Sequence, residues 1–137
     1  MTNLDNILKI KKNLSEQDNR LTKDPMFCVQ KCVRDVGYSP DYAEDTVWIN
    51  MESGEYEEVE PDAQGAEEFG YIIRWETVMV CFTEQGCKDY LEKNGHNISH
   101  GAYQGQVRIF VESFNRCSEM QSIRDFLLQL NGKGKTK

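Results

Sequence analysis

No run of 18 or more apolar residues occurs in this chain, so no membrane-spanning helix is indicated. The first 20 residues also lack the apolar centre of an export signal, being interrupted by Asp5, Glu16 and Asp18, and a cytoplasmic location is expected. Histidine is scarce, with only His96 and His100. Cysteine is present in odd number, as Cys28, Cys32, Cys81, Cys87 and Cys117. Without an export signal a disulfide framework is not expected, and reduced thiols partly buried in the core are the default. No internal repeat is visible. From residue 41 to residue 68 there is no lysine and no arginine at all.

What is present fits a globular domain. At 137 residues, 39% apolar and 28% charged, the chain is long enough to bury a core without staples. Its charge is unevenly placed. The cation-free segment carries Asp41, Glu44, Asp45, Glu52, Glu55, Glu57, Glu58, Glu60, Asp62, Glu67 and Glu68. The rest holds twelve acids against sixteen bases, net +4, while the whole chain is net −7. One segment therefore carries the acidity of the molecule. A field of that sign repels nucleic acid and attracts basic surfaces.

Periodicity supplies the elements. Leu4, Ile7, Leu8 and Leu14 form a thin helical stripe within 3–19, suited to loose docking or to pairing with a second copy as a homodimer. Pro25 marks a boundary, and 26–36 reads as a strand with Phe27, Val29 and Val33 on one side. Thr46 to Asn50 is a short strand. Ser53-Gly54 signals a turn, with Glu55 to Val59 returning as a charged edge strand and 60–69 as an acidic loop. Tyr71 to Phe82 is a long strand, apolar on both faces and hence central, with Arg74 and Glu76 among its apolar neighbours. Thr83 caps the next helix, whose inward face is Cys87, Tyr90 and Leu91 and whose stop is Gly95. His96 caps that helix end, and a loop fills 96–105. Gln106 to Ser113 is a strand with Val107, Ile109 and Val111 inward; its placement beside the long strand, parallel or antiparallel, stays open. Residues 115–130 form the last helix, with Met120, Ile123, Leu127 and Leu130 at 3-4-3 spacing, Phe126 widening the stripe, and a capping box from Ser118 to Gln121.

The expected fold is α+β: a mostly antiparallel sheet of about four to five strands with two to three helices packed on it. Residues 1–24 form an amphipathic helix and linker, 25–131 a single domain, and 132–137 a disordered basic tail.

Signals for chemistry are thin. Cys28 and Cys32 share a strand face, and Cys81, Cys87, His96 and His100 could complete a zinc site. Zinc motifs place such pairs on tight knuckles rather than along a strand, so no metal and no cofactor is expected. No glycine-rich nucleophile turn precedes any cysteine, and the acidic loop lacks the spaced pattern of a calcium site. No catalytic residue is assigned. Arg74, Arg108, Arg116 and Arg124 lie near Trp75, Phe110, Phe114 and Phe126, which allows a stacking and basic face. An alternative ligand face for a small molecule or single-stranded nucleic acid is thus Arg74, Trp75, Glu76 and Arg108, against the sign of the overall charge.

Three stretches, VRDVGYSPDYAEDTVWIN (33–50), GYIIRWETVMVCFTEQGCKDYLEKNGHN (70–97) and RIFVESFNRCSEMQSIRDFLL (108–128), resemble a family of small phage and prophage accessory proteins, over roughly residues 27–130. The resemblance covers about half the chain and supplies no catalytic residue. It implies a host-cell setting and a protein that works by occupying a basic surface of a host or phage protein, as inhibitors of host defence such as anti-CRISPR proteins do. The expected partner-binding residues are Glu52, Glu55, Glu57, Glu58, Glu60, Asp62, Glu67 and Glu68.

Overall fold

The computed structural model describes residues 2–20 and 22–131; the basic tail expected to be disordered lies outside them. In chain order the elements are α1 (Asn3–Glu16), β1 (Pro25–Tyr38), β2 (Asp45–Asn50), β3 (Ala66–Cys81), α2 (Glu84–His100), β4 (Val107–Ser113) and α3 (Ser118–Gln129). The strands form one antiparallel sheet in the order β2-β3-β1-β4, so the α+β class holds and β3 is internal as expected. Among the described residues no helix is long and apolar enough to cross a membrane. The chain divides into two compact units, Met1–Lys31 with Thr77–Lys137, and Cys32–Glu76.

In the first unit Phe27 and Val29 alternate on one face of β1 and sit opposite Val111 and Ile109 of β4, which runs antiparallel to it. β4 thus pairs with β1, not with the long strand that the sequence suggested as its neighbour. Phe27, Val29 and Cys87 are wholly buried together, with Val78, Leu91 and Ile98 packed around them. The Cys87 thiol donates to the Phe27 carbonyl at 3.3 Å, which ties α2 to β1.

Thr83 starts α2 as expected, its Oγ1 accepting from Gly86 N at 3.0 Å. The helix does not stop at Gly95. It continues to His100 and is capped by Gly101, so His96 caps nothing and 96–100 is helix rather than loop. An interior glycine costs a helix only about 1 kcal/mol. The extra turn carries Ile98 onto the Phe27 cluster, which outweighs that cost.

Thr2 and Asp5 close a capping box on α1, and Leu14 is buried where α1 meets α2 and α3. Lys11 Nζ also donates to the Leu130 carbonyl at 2.7 Å. The capping box expected on the last helix does not form. Cys117 is the N-cap and Ser118 is already helical, while Gln121 Nε2 donates to Asp24 Oδ2 at 3.0 Å. Phe126 is 51% exposed, so it does not widen the buried stripe.

The second unit holds the remainder of β1, all of β2 and the first part of β3. β2 and β3 are paired antiparallel, Val47 opposite Phe69 and Ile49 opposite Glu67. The sequence suggested Glu55–Val59 as the partner of β2 and a loop over 60–69. Glu55–Val59 does return antiparallel along the edge of β2, but only through one bridge, Ile49 to Glu58, with Asn50 N to Glu57 O and Val59 N to Trp48 O both at 2.9 Å, and 66–69 is strand rather than loop. The strand β3 begins at Ala66, five residues before Tyr71. β3 takes the opposite edge of β2, where Phe69 gives Val47 an apolar cross-strand partner, so it does not displace the 55–59 segment. Left-handed backbone at Gly54 and Tyr56 (φ 77° and 54°) turns that segment out of strand geometry.

Gly70 is buried in β3, and a Cβ there would collide with Ala43 and lie 3.0 Å from the Ser39 carbonyl. Gly70→Val is expected to destabilise the protein by about 1–3 kcal/mol. Thr83→Ala, which removes one cap bond, is expected to cost about 1 kcal/mol. Urea unfolding followed by far-UV circular dichroism measures both, and Gly70→Val at wild-type stability contradicts the packing described.

Candidate protein-binding surface

The unit Cys32–Glu76 contains thirteen acids against two arginines, a net charge of −11. Both arginines are engaged within the unit. Arg34 lies 3.4 Å from Glu58 and stacks over the Tyr71 ring at 5.0 Å. Arg74 Nε donates to Asp35 Oδ2 at 2.6 Å. The charge this unit presents outward is therefore predominantly negative.

The expected partner-binding residues fall on three backbone features. Asn50 Oδ1 accepts from the backbone of Glu52 at 2.9 Å and of Ser53 at 3.3 Å, which organises the turn after β2 and leaves Glu52 and Glu55 in water. Glu57 and Glu58 sit on the short bridged segment at the outer edge of β2, where charge discourages pairing with another strand. Glu60 and Asp62 lie on the turn leading to β3, with Ala63 N donating to Glu60 O at 3.0 Å. Glu67 is exposed opposite Ile49, whereas Glu68 is half-buried and accepts from Thr46 Oγ1 at 3.1 Å. Seven of the eight side chains are thus exposed, and only Glu68 is drawn in.

Of the alternative ligand residues, Arg74, Trp75 and Glu76 lie on β3 and Arg108 on β4. Successive strand residues point to opposite faces, so Arg74 and Glu76 leave β3 on the side away from Trp75. Arg108 belongs to the other unit, where its Nε donates to Gln30 Oε1 at 2.8 Å and its guanidinium covers the Phe110 ring at 4.6 Å. Gln30 is in turn bonded to Thr77 Oγ1 at 3.0 Å.

The structure adds a feature that the sequence did not single out. A cavity of about 360 Å³ opens in the acidic unit, lined by Arg34, Val36, Gly37, Ile49, Met51, Tyr56 and Phe69. Its walls come from β1, β2, β3 and the turn after β2, so no short motif spells it out. The available signal was Met51 and Tyr56, two large apolar side chains inside an acidic run, which fold onto no core of their own and stay 41% and 59% exposed.

Among the described residues no group of three or more His, Cys, Asp or Glu side chains is placed to hold a metal ion. His96 and His100 are exposed on α2, while Cys28, Cys32 and Cys87 are buried. Burial pushes the Cys87 thiol up to about 12, with a further contribution from the neighbouring Cys81. Burial likewise raises Cys28, and Glu112 adds to it. Neither is suited to act as a thiolate near neutral pH. Comparison with protein-family models, curated proteins and solved structures finds no match to this chain.

Two consequences follow for the thiols. Iodoacetamide at neutral pH is expected to modify the exposed Cys117 in the native protein and to reach Cys28 and Cys87 only after unfolding. Peptide mass spectrometry reads this directly, and rapid native labelling of Cys87 contradicts its burial. The raised Cys87 value also sets a sign. The unfolded thiol ionises first, so this contribution to stability is intact below about pH 9 and declines as pH rises toward 12.

Proposed function

We propose that this chain is a phage-derived, non-enzymatic interaction protein that acts in the cytoplasm of the host cell. It binds a host or phage protein carrying a basic surface, in the manner of an inhibitor of a host defence complex such as an anti-CRISPR protein. The phage setting rests on the resemblance of 33–50, 70–97 and 108–128 to small phage accessory proteins. The binding mode rests on one observation: the net charge of −11 confined to Cys32–Glu76, with both of its arginines already held by Asp35 and Glu58.

The physics favours recognition over scaffold. Acids on turns and on a sheet edge contribute little to stability, because exposed charges in water interact weakly with their neighbours. Gathered on one unit, they produce a field that speeds encounter with a cationic partner and repels nucleic acid. Such recognition weakens as salt screens it over a Debye length of about 10 Å at 0.1 M.

The test is capture from phage-infected host lysate at low and high salt. Wild-type protein is expected to retain a partner at low salt and release it at high salt. The combined variant Glu55→Lys, Glu57→Lys, Glu58→Lys and Glu60→Lys is expected to lose that partner while keeping its circular dichroism spectrum. Undiminished capture by the folded variant counts against the acidic surface.

A further inference from the structure

We propose that the cavity beside the β2 turn is an anchor pocket for one apolar side chain of the partner, carried on a segment with lysine or arginine on both sides of it. This deepens the acidic-surface reading and rests on it. Three observations carry it.

The first is the wall chemistry. Val36, Ile49, Met51 and Phe69 give the cavity an apolar lining, and Val36 and Met51 are each 41% exposed. Apolar side chains left in water around a concavity gain free energy when another apolar group displaces that water. A volume of about 360 Å³ accommodates a leucine, methionine or phenylalanine side chain. Because Val36, Met51 and Tyr56 remain exposed, the cavity is open on one side, which suits a protruding side chain better than a fully enclosed small molecule.

The second is the charge around it. On the turn, Glu52, Glu55 and Glu57 flank Met51 and Tyr56 along the chain, all exposed. On β3, Glu67 lies two residues from Phe69, hence on the same strand face, and directly opposite Ile49. Exposed carboxylates therefore neighbour the lining residues on two different elements. An apolar residue seated between them would place cations on either side of it against opposite charge.

The third is the cation within the wall. Arg34 would repel a basic segment if its charge were uncompensated. It is held by Glu58 at 3.4 Å and lies over the Tyr71 ring, and its side chain is only 18% exposed. The cavity thus offers a basic partner an apolar seat in a negative field.

Tyr56 sits in left-handed backbone (φ 54°), which carries its ring to the cavity rather than along the β2 edge. Gly65, also left-handed (φ 75°), leaves room for Glu52 and Asn50; a Cβ there would come within 2.8 Å of Glu52 Cγ.

Fluorescence anisotropy with labelled synthetic peptides tests the proposal on the full chain. One peptide carries a central leucine with two lysines on each side. A second replaces the leucine by glycine, and a third keeps the leucine but replaces every lysine by serine. The lysine–leucine peptide is expected to bind about tenfold or more tightly than the glycine peptide. The serine peptide is expected to bind more weakly than the lysine–leucine peptide, and its affinity is expected to be insensitive to salt. Val36→Trp, which fills the cavity, and Met51→Gln, which makes its wall polar, are each expected to abolish the leucine preference while leaving salt-sensitive binding of both lysine peptides. Two variants of unlike chemistry guard against one failing to fold. Methyl resonances of Ile49, Val36 and Met51 are expected to shift with the leucine peptide and not with the glycine peptide.

Equal, salt-sensitive binding of the leucine and glycine peptides overturns the anchor pocket and leaves the acidic-surface reading standing. Leucine-selective binding that ignores salt and lysine keeps the pocket but overturns its pairing with basic residues. Absence of binding by all three overturns both.

Discussion

Phe27, Val29 and Cys87 share a space from which water is excluded, and the first unit depends on that contact. β1 contributes two side chains from one face of its pleat, and α2 contributes a thiol small enough to let the helix approach the sheet. The Cys87 Sγ–H then donates to the Phe27 carbonyl, so helix and strand are joined by a bond as well as by packing. Once α2 lies there, Ile98 one turn beyond Gly95 has apolar surface to cover, and the helix extends through the glycine. Leu14 of α1 is buried in the same unit. The large shift of the Cys87 thiol expresses the same constraint: the site is too dry to support a thiolate.

The second unit is organised by a different balance. Its buried residues are few, Cys32, Val47 and Ile49 among them, and its surface is dense in carboxylates. Like charges at such spacing repel, yet water screens them because they stand on turns and on an edge. The repulsion that water leaves is a reason for the unit to associate with a cation-bearing surface. Its two arginines, paired with Glu58 and Asp35, leave the unit strongly negative. A negative, partly apolar surface is coherent as a recognition element, which is the basis of the function proposed.

Much of the fold was legible because the signals were local. Thr83 before Glu84 marks a helix start wherever it is packed, and alternation of Val107, Ile109 and Val111 marks a strand whatever its neighbour. Structure and local pattern part where a local signal competes with a distant one. Gly95 reads as a helix stop until Ile98 meets the Phe27 cluster. Ser118 and Gln121 read as a capping box until Asp24 offers Gln121 another partner. Residues 66–69 read as the end of an acidic loop until Phe69 meets Val47 across the sheet. In each case the decisive contact comes from a residue distant in the chain or from another element, so no window of sequence contains it.

The class of fold, the position of most elements and the confinement of negative charge to one stretch follow from composition and periodicity, which are properties of the chain. The acidic residues named from sequence are, Glu68 excepted, the ones the structure leaves in water. Tertiary structure alone decided that β4 lies beside β1 and that the segment before Tyr71 is strand. It also decided that Arg74 and Trp75 leave opposite faces of β3, and that Val36, Ile49, Met51, Tyr56 and Phe69 surround one cavity. Those outcomes depend on strand order and register, which are set by the competition among all apolar surfaces for burial and are not encoded at any single position.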